Sequence, residues 1–301
     1  MLHFTITADD HCRRLESWLQ RLLPEASPAY LRKLIKSGAC RLNDAATAPD
    51  QLLCCHDGIT LKESGAVEQY LRGAPAPLDL LWQDSRLLVV NKQAGLAMHP
   101  AAEVHENLVD IASAWLEKRS NHPARAYPVN RLDRGTSGVV LLAASSSCAG
   151  MLGRQVKETG LDKRYLTVVE GCLEGADEIS LPLDGKESVS RYRCLAAGND
   201  ATLMQVEPVT GRTHQIRRHL AAIGHPVLGD TRYDGTLQPL LPGIALHSFR
   251  TVLQYPDVTG SLVLCAPLPA ALRILICDRC SIAEADMLEL LHHLVLTPAT
   301  L

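Results

Sequence analysis

Near the N-terminus the apolar residues fall at helical spacing, and from about residue 87 they gather instead into unbroken runs of strand length. Leu15, Leu19 and Leu22 share one face of a helix predicted over roughly 12–23. SPAYLRKLIKSG, residues 27–38, predicts a second, with Ser27 placed to cap it, Pro28 suited to its first turn and Gly38 ending it. Its inward stripe is Leu31, Leu34 and Ile35, which leaves Arg32, Lys33 and Lys36 facing out. ACRLND and DGITLK then read as short strands and close a small unit by residue 62.

Between Glu68 and Pro77 the periodicity stops and Pro and Gly accumulate, which predicts a linker over 68–77. Beyond it, LLVVNK (87–92), VVLLAAS (139–145) and RYLTVVEG (164–171) predict strands. NLVDIASAWLEK (107–118), CAGMLGRQVKETG (148–160) and THQIRRHLAAIG (213–224) predict helices. SRYRCLAA and ATLMQVEP, separated by Gly198, Asn199 and Asp200, predict a hairpin. This mixed order argues for an α+β fold over a doubly wound parallel sheet. DMLELLHHLVL (286–296) predicts an amphipathic helix whose partner the sequence does not identify.

A chain of 301 residues, 47% hydrophobic, can hold one large domain and one small one. Its net charge of −3 excludes a uniformly basic surface, so contact with nucleic acid has to come from local patches. The first 18 residues lack the pattern of a secretory signal and no apolar span of 18 residues follows, so a cytoplasmic location without membrane contact is expected. The ten cysteines are scattered without a framework spacing and read as reduced thiols. Cys277 and Cys280 precede His292 and His293, but adjacent histidines point to successive faces of a helix, and no metal site is expected there. His99 and His105 read as surface histidines. GxGxxG and P-loop patterns are absent, which leaves nucleotide cofactors without support. Ser137 lacks the spacing of a nucleophile elbow, and HQIRRH lacks the Glu of a zinc protease helix.

Asp133, in NRLDRGTSGVVLLA (130–143), stands at the entry to an apolar run. It could serve as an Asx-type turn residue, a solvated ion-pair partner or a reactive carboxylate. Its context narrows the choice. LLWQDSRLLVVNKQAGLAMHP (80–100), NRLDRGTSGVVLLA, KRYLTVVEG (163–171) and PVTGRTHQIRRHLAAIGHPVLGDTRY (208–233), in that order, resemble the RluA family of pseudouridine synthases. The resemblance runs from about 80 to 270 and takes in ALHSF and APLPAAL. Two positions depart from the family: Asn130 stands where its motif has His, and Gln93 where it has Pro.

The resemblance implies the pseudouridine synthase fold, a mixed, largely antiparallel sheet with flanking helices, and isomerisation of uridine in RNA. Asp133 would be the nucleophile, Arg217 the guanidinium that pairs with it, and Tyr165 the ring lying against the target uracil. Arg131 would fill the space left by the flipped base or grip a phosphate, and Asn130, Arg212 and His214 are assigned to RNA contact. This chemistry needs no metal, redox centre or organic cofactor.

Residues 12–62 resemble the small RNA-binding domain named after ribosomal small-subunit protein four, which implies that Arg32, Lys33 and Lys36 face RNA. The expected organisation is a small α/β RNA-binding domain over 1–67, a linker over 68–77, a catalytic domain over 78–279 and a helical tail over 280–301. The expected function is a monomeric synthase acting on structured RNA, with large-subunit ribosomal RNA ahead of transfer RNA. Its competitors are a non-catalytic RNA-binding or ribosome-assembly protein on the same fold, and an enzyme using a carboxylate nucleophile on a small substrate. The last leaves Arg32, Lys33 and Lys36 without a task.

Overall fold

The N-terminal helices are built by the signals that predict them. In the computed structural model, which describes residues 1–73, 77–100, 106–120, 122–255 and 261–297, they are α1 (Leu15–Leu22) and α2 (Pro28–Lys36). The Ser27 hydroxyl accepts the Tyr30 amide at 3.2 Å and so begins α2. Both helices pack on a three-stranded antiparallel sheet of β1 (Leu2–Thr5), β2 (Cys40–Leu42) and β3 (Gly58–Leu61), with β3 in the middle. Leu15, Leu19, Leu31, Ile35, Ile59 and Leu61 form the core of this module.

The linker expected from residue 68 begins later than its composition suggests. Residues 68–71 lie inside α3 (Gly65–Leu71), capped by the Ser64 hydroxyl accepting the Val67 amide at 3.3 Å. Val67 enters the module's core and the Tyr70 ring packs 5.4 Å from that of Tyr30, contacts that outweigh the nearby glycines. Residues 74–76 fall outside the described part.

A second, ten-stranded sheet organises the rest. Its strands are β4 (Leu80–Gln83), β5 (Leu87–Lys92), β6 (Tyr127–Pro128), β7 (Ser137–Ala143), β8 (Asp162–Glu170), β9 (Ala176–Ser180), β10 (Val189–Ala197), β11 (Ala201–Pro208), β12 (Leu246–Gln254) and β13 (Ser261–Cys265). The order is β4-β5-β7-β12-β8-β11-β10-β9, with β6 on β7 and β13 on β12. Among the described strands only β7 and β12 pair parallel, so the sheet is mixed and largely antiparallel as expected. Both faces of β7 are covered. Val140 and Leu142 enter one core, Val139, Leu141 and Ala143 the other, which is why its sequence is apolar without alternation. The helices are α4 (Leu108–Ser120), α5 (Ser146–Thr159), α6 (Gln215–Ala222), α7 (Ala270–Arg279) and α8 (Glu284–Leu296). Leu152 of α5 sits in the second core, and the other four contribute to the first.

β12, at the centre of the sheet, carries no readable periodicity because His247, Ser248, Arg250 and Thr251 are all buried along it. His247 Nδ1 lies 2.8 Å from the Ser137 hydroxyl and its Nε2 3.1 Å from the Ala266 carbonyl, and Arg250 donates to Asp162 at 2.9 Å. The parallel contact with β7 requires Gly138, whose φ is +112° and where an added Cβ would stand 2.2 Å from the Ser248 carbonyl oxygen. That contact fixes the start of β7, and with it the loop carrying Asp133.

The tail expected over 280–301 is part of the main core. Met287, Leu288, Leu291, Leu294 and Val295 of α8 are buried there together with Cys12 of the N-terminal module. No helix among the described residues is long and apolar enough to cross a membrane.

Candidate active site

Asp133 is presented by a loop tied down at nearly every residue. The Asn130 amide both donates to the Val139 carbonyl at 3.3 Å and accepts the Leu141 amide at 2.7 Å, so it acts as an added rung on β7. Leu132 is buried beneath the loop. The turn is closed by the Thr136 amide on the backbone carbonyl of Asp133 at 3.1 Å, so closing the turn does not occupy the carboxylate. This arrangement replaces the Asx turn that the sequence allowed. From the other side, Arg134 donates to the Gly95 carbonyl at 2.9 Å and the Ile244 amide to the Gly135 carbonyl at 3.0 Å.

Lys92 supports the same loop from below. It is 1% exposed, and its Nζ donates to the carbonyls of Gln93, Leu96 and Arg134 at 2.9, 2.9 and 3.2 Å. Burial pulls its ammonium down to about 8, and the nearby charge of Asp133 opposes that fall.

Helix α6 brings the partner charge. Arg217 is buried and donates from Nη1 to Asp133 Oδ2 at 2.9 Å, while its Nε and Nη2 hold the two oxygens of Asp230 at 2.6 and 2.8 Å. Burial works against the guanidinium's charge, but the two carboxylates more than offset it and keep the group above its ordinary range. Tyr233 stacks on Arg217, 5.0 Å from ring centre to Cζ. His214, at the start of α6, has a left-handed φ of 54°, which places its Nε2 3.7 Å from Asp133 Oδ1 and its Nδ1 2.8 Å from the Tyr233 hydroxyl. Burial lowers its basicity against the pull of Asp133, so the ring is neutral at pH 7.

The loop before α6 is shaped by Gln215. Its Oε1 accepts from the Thr210 hydroxyl at 2.7 Å and the Arg212 amide at 3.0 Å, and its Nε2 donates to the Val189 carbonyl at 2.8 Å and the Ser190 hydroxyl at 3.0 Å. All four capacities of a buried amide are satisfied.

These groups line a cleft of about 390 Å³, within the range of small-molecule pockets. Asp133, Arg217, His214, Lys163, Arg131 and Arg212 are its charged or ionisable polar members, with Tyr165, Leu161, Ile216 and Leu246 among its apolar walls. Tyr165 sits opposite Ser248 across the β8–β12 pairing, and burial pushes its phenol up to about 12. Its hydroxyl is therefore neutral at physiological pH and offers a ring face and a proton donor. Asp133 is 27% exposed, with one oxygen held by Arg217 and the other, 3.7 Å from His214 Nε2, without a hydrogen bond among the described residues. Such a carboxylate can attack an electrophilic carbon from a fixed direction.

The cleft unites Asp133, Tyr165, Arg217, Asn130, Arg131, Arg212 and His214. Arg131 and Arg212 are exposed at it, Arg212 also donating to the Glu187 carbonyl at 3.1 Å. Asn130 lines the cleft and also supports the loop, since both ends of its amide are engaged on β7. Arg32, Lys33 and Lys36 are not among the cleft residues. Arg32 forms an ion pair with Glu16 at 2.9 Å, which leaves Lys33 and Lys36 as the exposed cations of that helix face. The sequence motifs alone do not single out Lys92, Asp230 and Tyr233, although all three stand inside them. His99 is exposed as expected, and His105 lies outside the described residues. His293 is exposed while His292 turns inward, so the two do occupy different faces of α8.

Comparison with known proteins identifies the family. Residues 86–222 match the family described as RNA pseudouridylate synthase. The chain is 31% identical to the ribosomal large subunit pseudouridine synthase D of Xanthomonas campestris pv. campestris, over 75% of its own length and 72% of the relative's. It is equally 31% identical to the ribosomal large subunit pseudouridine synthase C of Escherichia coli K12, with 76% and 78% of the two chains covered. The chain belongs to the RluA family of RNA pseudouridine synthases. This synthase is thus an isomerase that converts uridine to pseudouridine in RNA. Its fold matches the structure of Human RNA Pseudouridylate Synthase Domain Containing 1 with a TM-score of 0.55 at 24% identity, covering 76% of this chain and 98% of that one.

Proposed function

We propose that this synthase modifies uridines of large-subunit ribosomal RNA, with Asp133 as its nucleophile. The observation that carries the reading is the asymmetric hold on that carboxylate, which lines the cleft: Oδ2 is bound by Arg217 at 2.9 Å, and Oδ1 lies 3.7 Å from His214 Nε2. In the reaction the bond between ribose carbon 1′ and uracil nitrogen 1 breaks, the base turns, and a bond from carbon 1′ to carbon 5 replaces it. The proton of carbon 5 leaves and nitrogen 1 gains one, so no atoms are lost and no co-reactant is consumed. Tyr165 offers its ring to the uracil, and Arg131 takes the gap left in the RNA stack. Ribosomal RNA is favoured because both relatives named above are described as large-subunit enzymes.

The N-terminal module, read as an RNA-binding domain over 1–67, adds affinity through Lys33 and Lys36. The catalytic domain begins at residue 78, after the module and its helix α3, and takes α8 (Glu284–Leu296) into its core. The enzyme works as a monomer in the cytoplasm without a cofactor.

The decisive experiment is tritium release from large-subunit ribosomal RNA labelled at carbon 5 of uridine. The parent should release label and Asp133→Asn should release none. Equal release by both would remove Asp133 from the role of nucleophile, and release only from transfer RNA would move the substrate class.

A further inference from the structure

Outside the cleft, the N-terminal module and α8 bring together a second set of reactive side chains. The ligand atoms of His11, Cys12 and His292 lie within 4.8 Å of one another, and Cys54 Sγ stands 3.5 Å from His292 Nδ1. His11 and Cys12 are buried, whereas Cys54 and His292 are half-buried. Cys12 and Cys54 sit on adjoining backbone segments, held together by the Cys12 amide on the Leu53 carbonyl and the Leu53 amide on the Arg13 carbonyl, both at 2.8 Å. None of the four residues lines the cleft.

The orientation of His11 suits a ligand. Its Nε2 lies 2.8 Å from the Leu288 carbonyl and donates to it, the contact by which metal-bound imidazoles are commonly held, so Nδ1 is the nitrogen that carries the lone pair. The Cys55 amide approaches Nδ1 at 3.2 Å, and an ion binding there would replace that N–H.

We propose that His11, Cys12, Cys54 and His292 form a Cys2His2 site for zinc, clasping α8 to the N-terminal module. Two thiols and two imidazoles are the donor set of structural zinc, and tetrahedral bonds of about 2.3 Å to sulfur and 2.1 Å to nitrogen place sulfur and nitrogen about 3.6 Å apart. Cys54 and His292 already stand at that separation. The separations among His11, Cys12 and His292, now up to 4.8 Å, shorten toward that value as the ion enters, and Cys54, outside that triad, turns in from its contact with His292. On binding, two zinc–sulfur bonds form and the two thiol protons pass to solvent, so the loaded site is neutral. The ligands are residues 11, 12 and 54 from one end of the chain and 292 from the other, which makes the ion a cross-link between them.

The full-length protein, reduced and stripped with chelator, should bind one Co2+ with the visible bands of tetrahedral cobalt and a thiolate charge-transfer band. Zn2+ should displace it. Cys54→Ser and His292→Gln, at half-buried positions that tolerate exchange, should each weaken binding at least ~10-fold while circular dichroism stays that of the parent. Cys277→Ser should leave the spectrum unchanged. The proposal is overturned if the folded parent shows no tetrahedral cobalt spectrum, if Cys54→Ser and His292→Gln bind as the parent does, or if Cys277→Ser abolishes the signal.

Discussion

Arg217 grips Asp230 through two nitrogens, at 2.6 and 2.8 Å, and Asp133 through a third at 2.9 Å. The buried carboxylate sets the plane of the guanidinium, and the guanidinium sets the direction of the exposed carboxylate. Asp230→Asn should therefore misdirect Asp133 and lower kcat on the order of 100-fold, with KM for RNA little changed. Breaking the buried pair should also cost about 3–5 kcal/mol of stability, read from denaturant melts. Parental kcat in this variant would show that Arg217 needs no second anchor.

Of the three cations on α2, only Lys33 and Lys36 are exposed without a carboxylate partner at bonding distance among the described residues, since Arg32 is paired with Glu16. Replacing both lysines with Gln should reduce the slope of log affinity against log salt by up to about 1.8, or ~0.9 for each phosphate that is no longer neutralised. Arg32→Gln should change the slope less than either lysine. Filter binding across a salt series checks this, and a slope insensitive to both lysines would take α2 out of the RNA interface.

Asn130→Ala removes a donor and an acceptor from β7 and leaves the Leu141 amide without its 2.7 Å partner. The expected loss is about 1–3 kcal/mol of stability, with a fall in kcat as the Asp133 loop loosens. RNA affinity should stay within a factor of about two, far from the ~10-fold that removal of a charged group on a phosphate would bring. A variant with parental stability and weakened RNA binding would show that Asn130 contacts the RNA directly.

His247 is fully buried between Ser137 and Ala266, and burial lowers its pKa to about 4. The unfolded chain takes up this proton near pH 6.5 and the folded one only near pH 4, so stability is full above about 6.5 and falls as pH drops through that window. The contribution is about 3 kcal/mol, and His247→Gln should flatten that part of the pH dependence. Urea midpoints at pH 7 and 4.5 for parent and variant measure it, and identical shifts in both would rule His247 out as the source.

The legible parts of the fold are those whose signals are local. Ser27, Pro28 and Gly38 mark α2 within one turn of each end, and the unalternating VVLLA of β7 announces a strand buried on both faces. β12 is illegible because its buried His247, Ser248, Arg250 and Thr251 look like surface residues until their partners on other strands are known. The same holds in the site. Asp133 and Arg217 could be placed by their motifs, whereas Lys92 reads as an ordinary strand end, since nothing local shows that three carbonyls enclose its ammonium. Asp230 reads as a turn residue beside Gly229, and only the tertiary fold turns it toward Arg217.

His11 meets the carbonyl of Leu288, a contact spanning 277 positions of the chain. During synthesis, the docking face of the N-terminal module is made early and stays uncovered until α8 has emerged from the ribosome. A product stalled before that point presents an open apolar seam beside Cys12, the kind of surface that chaperones hold and proteases clear. The closing helix thereby makes its own synthesis a condition of a sealed molecule.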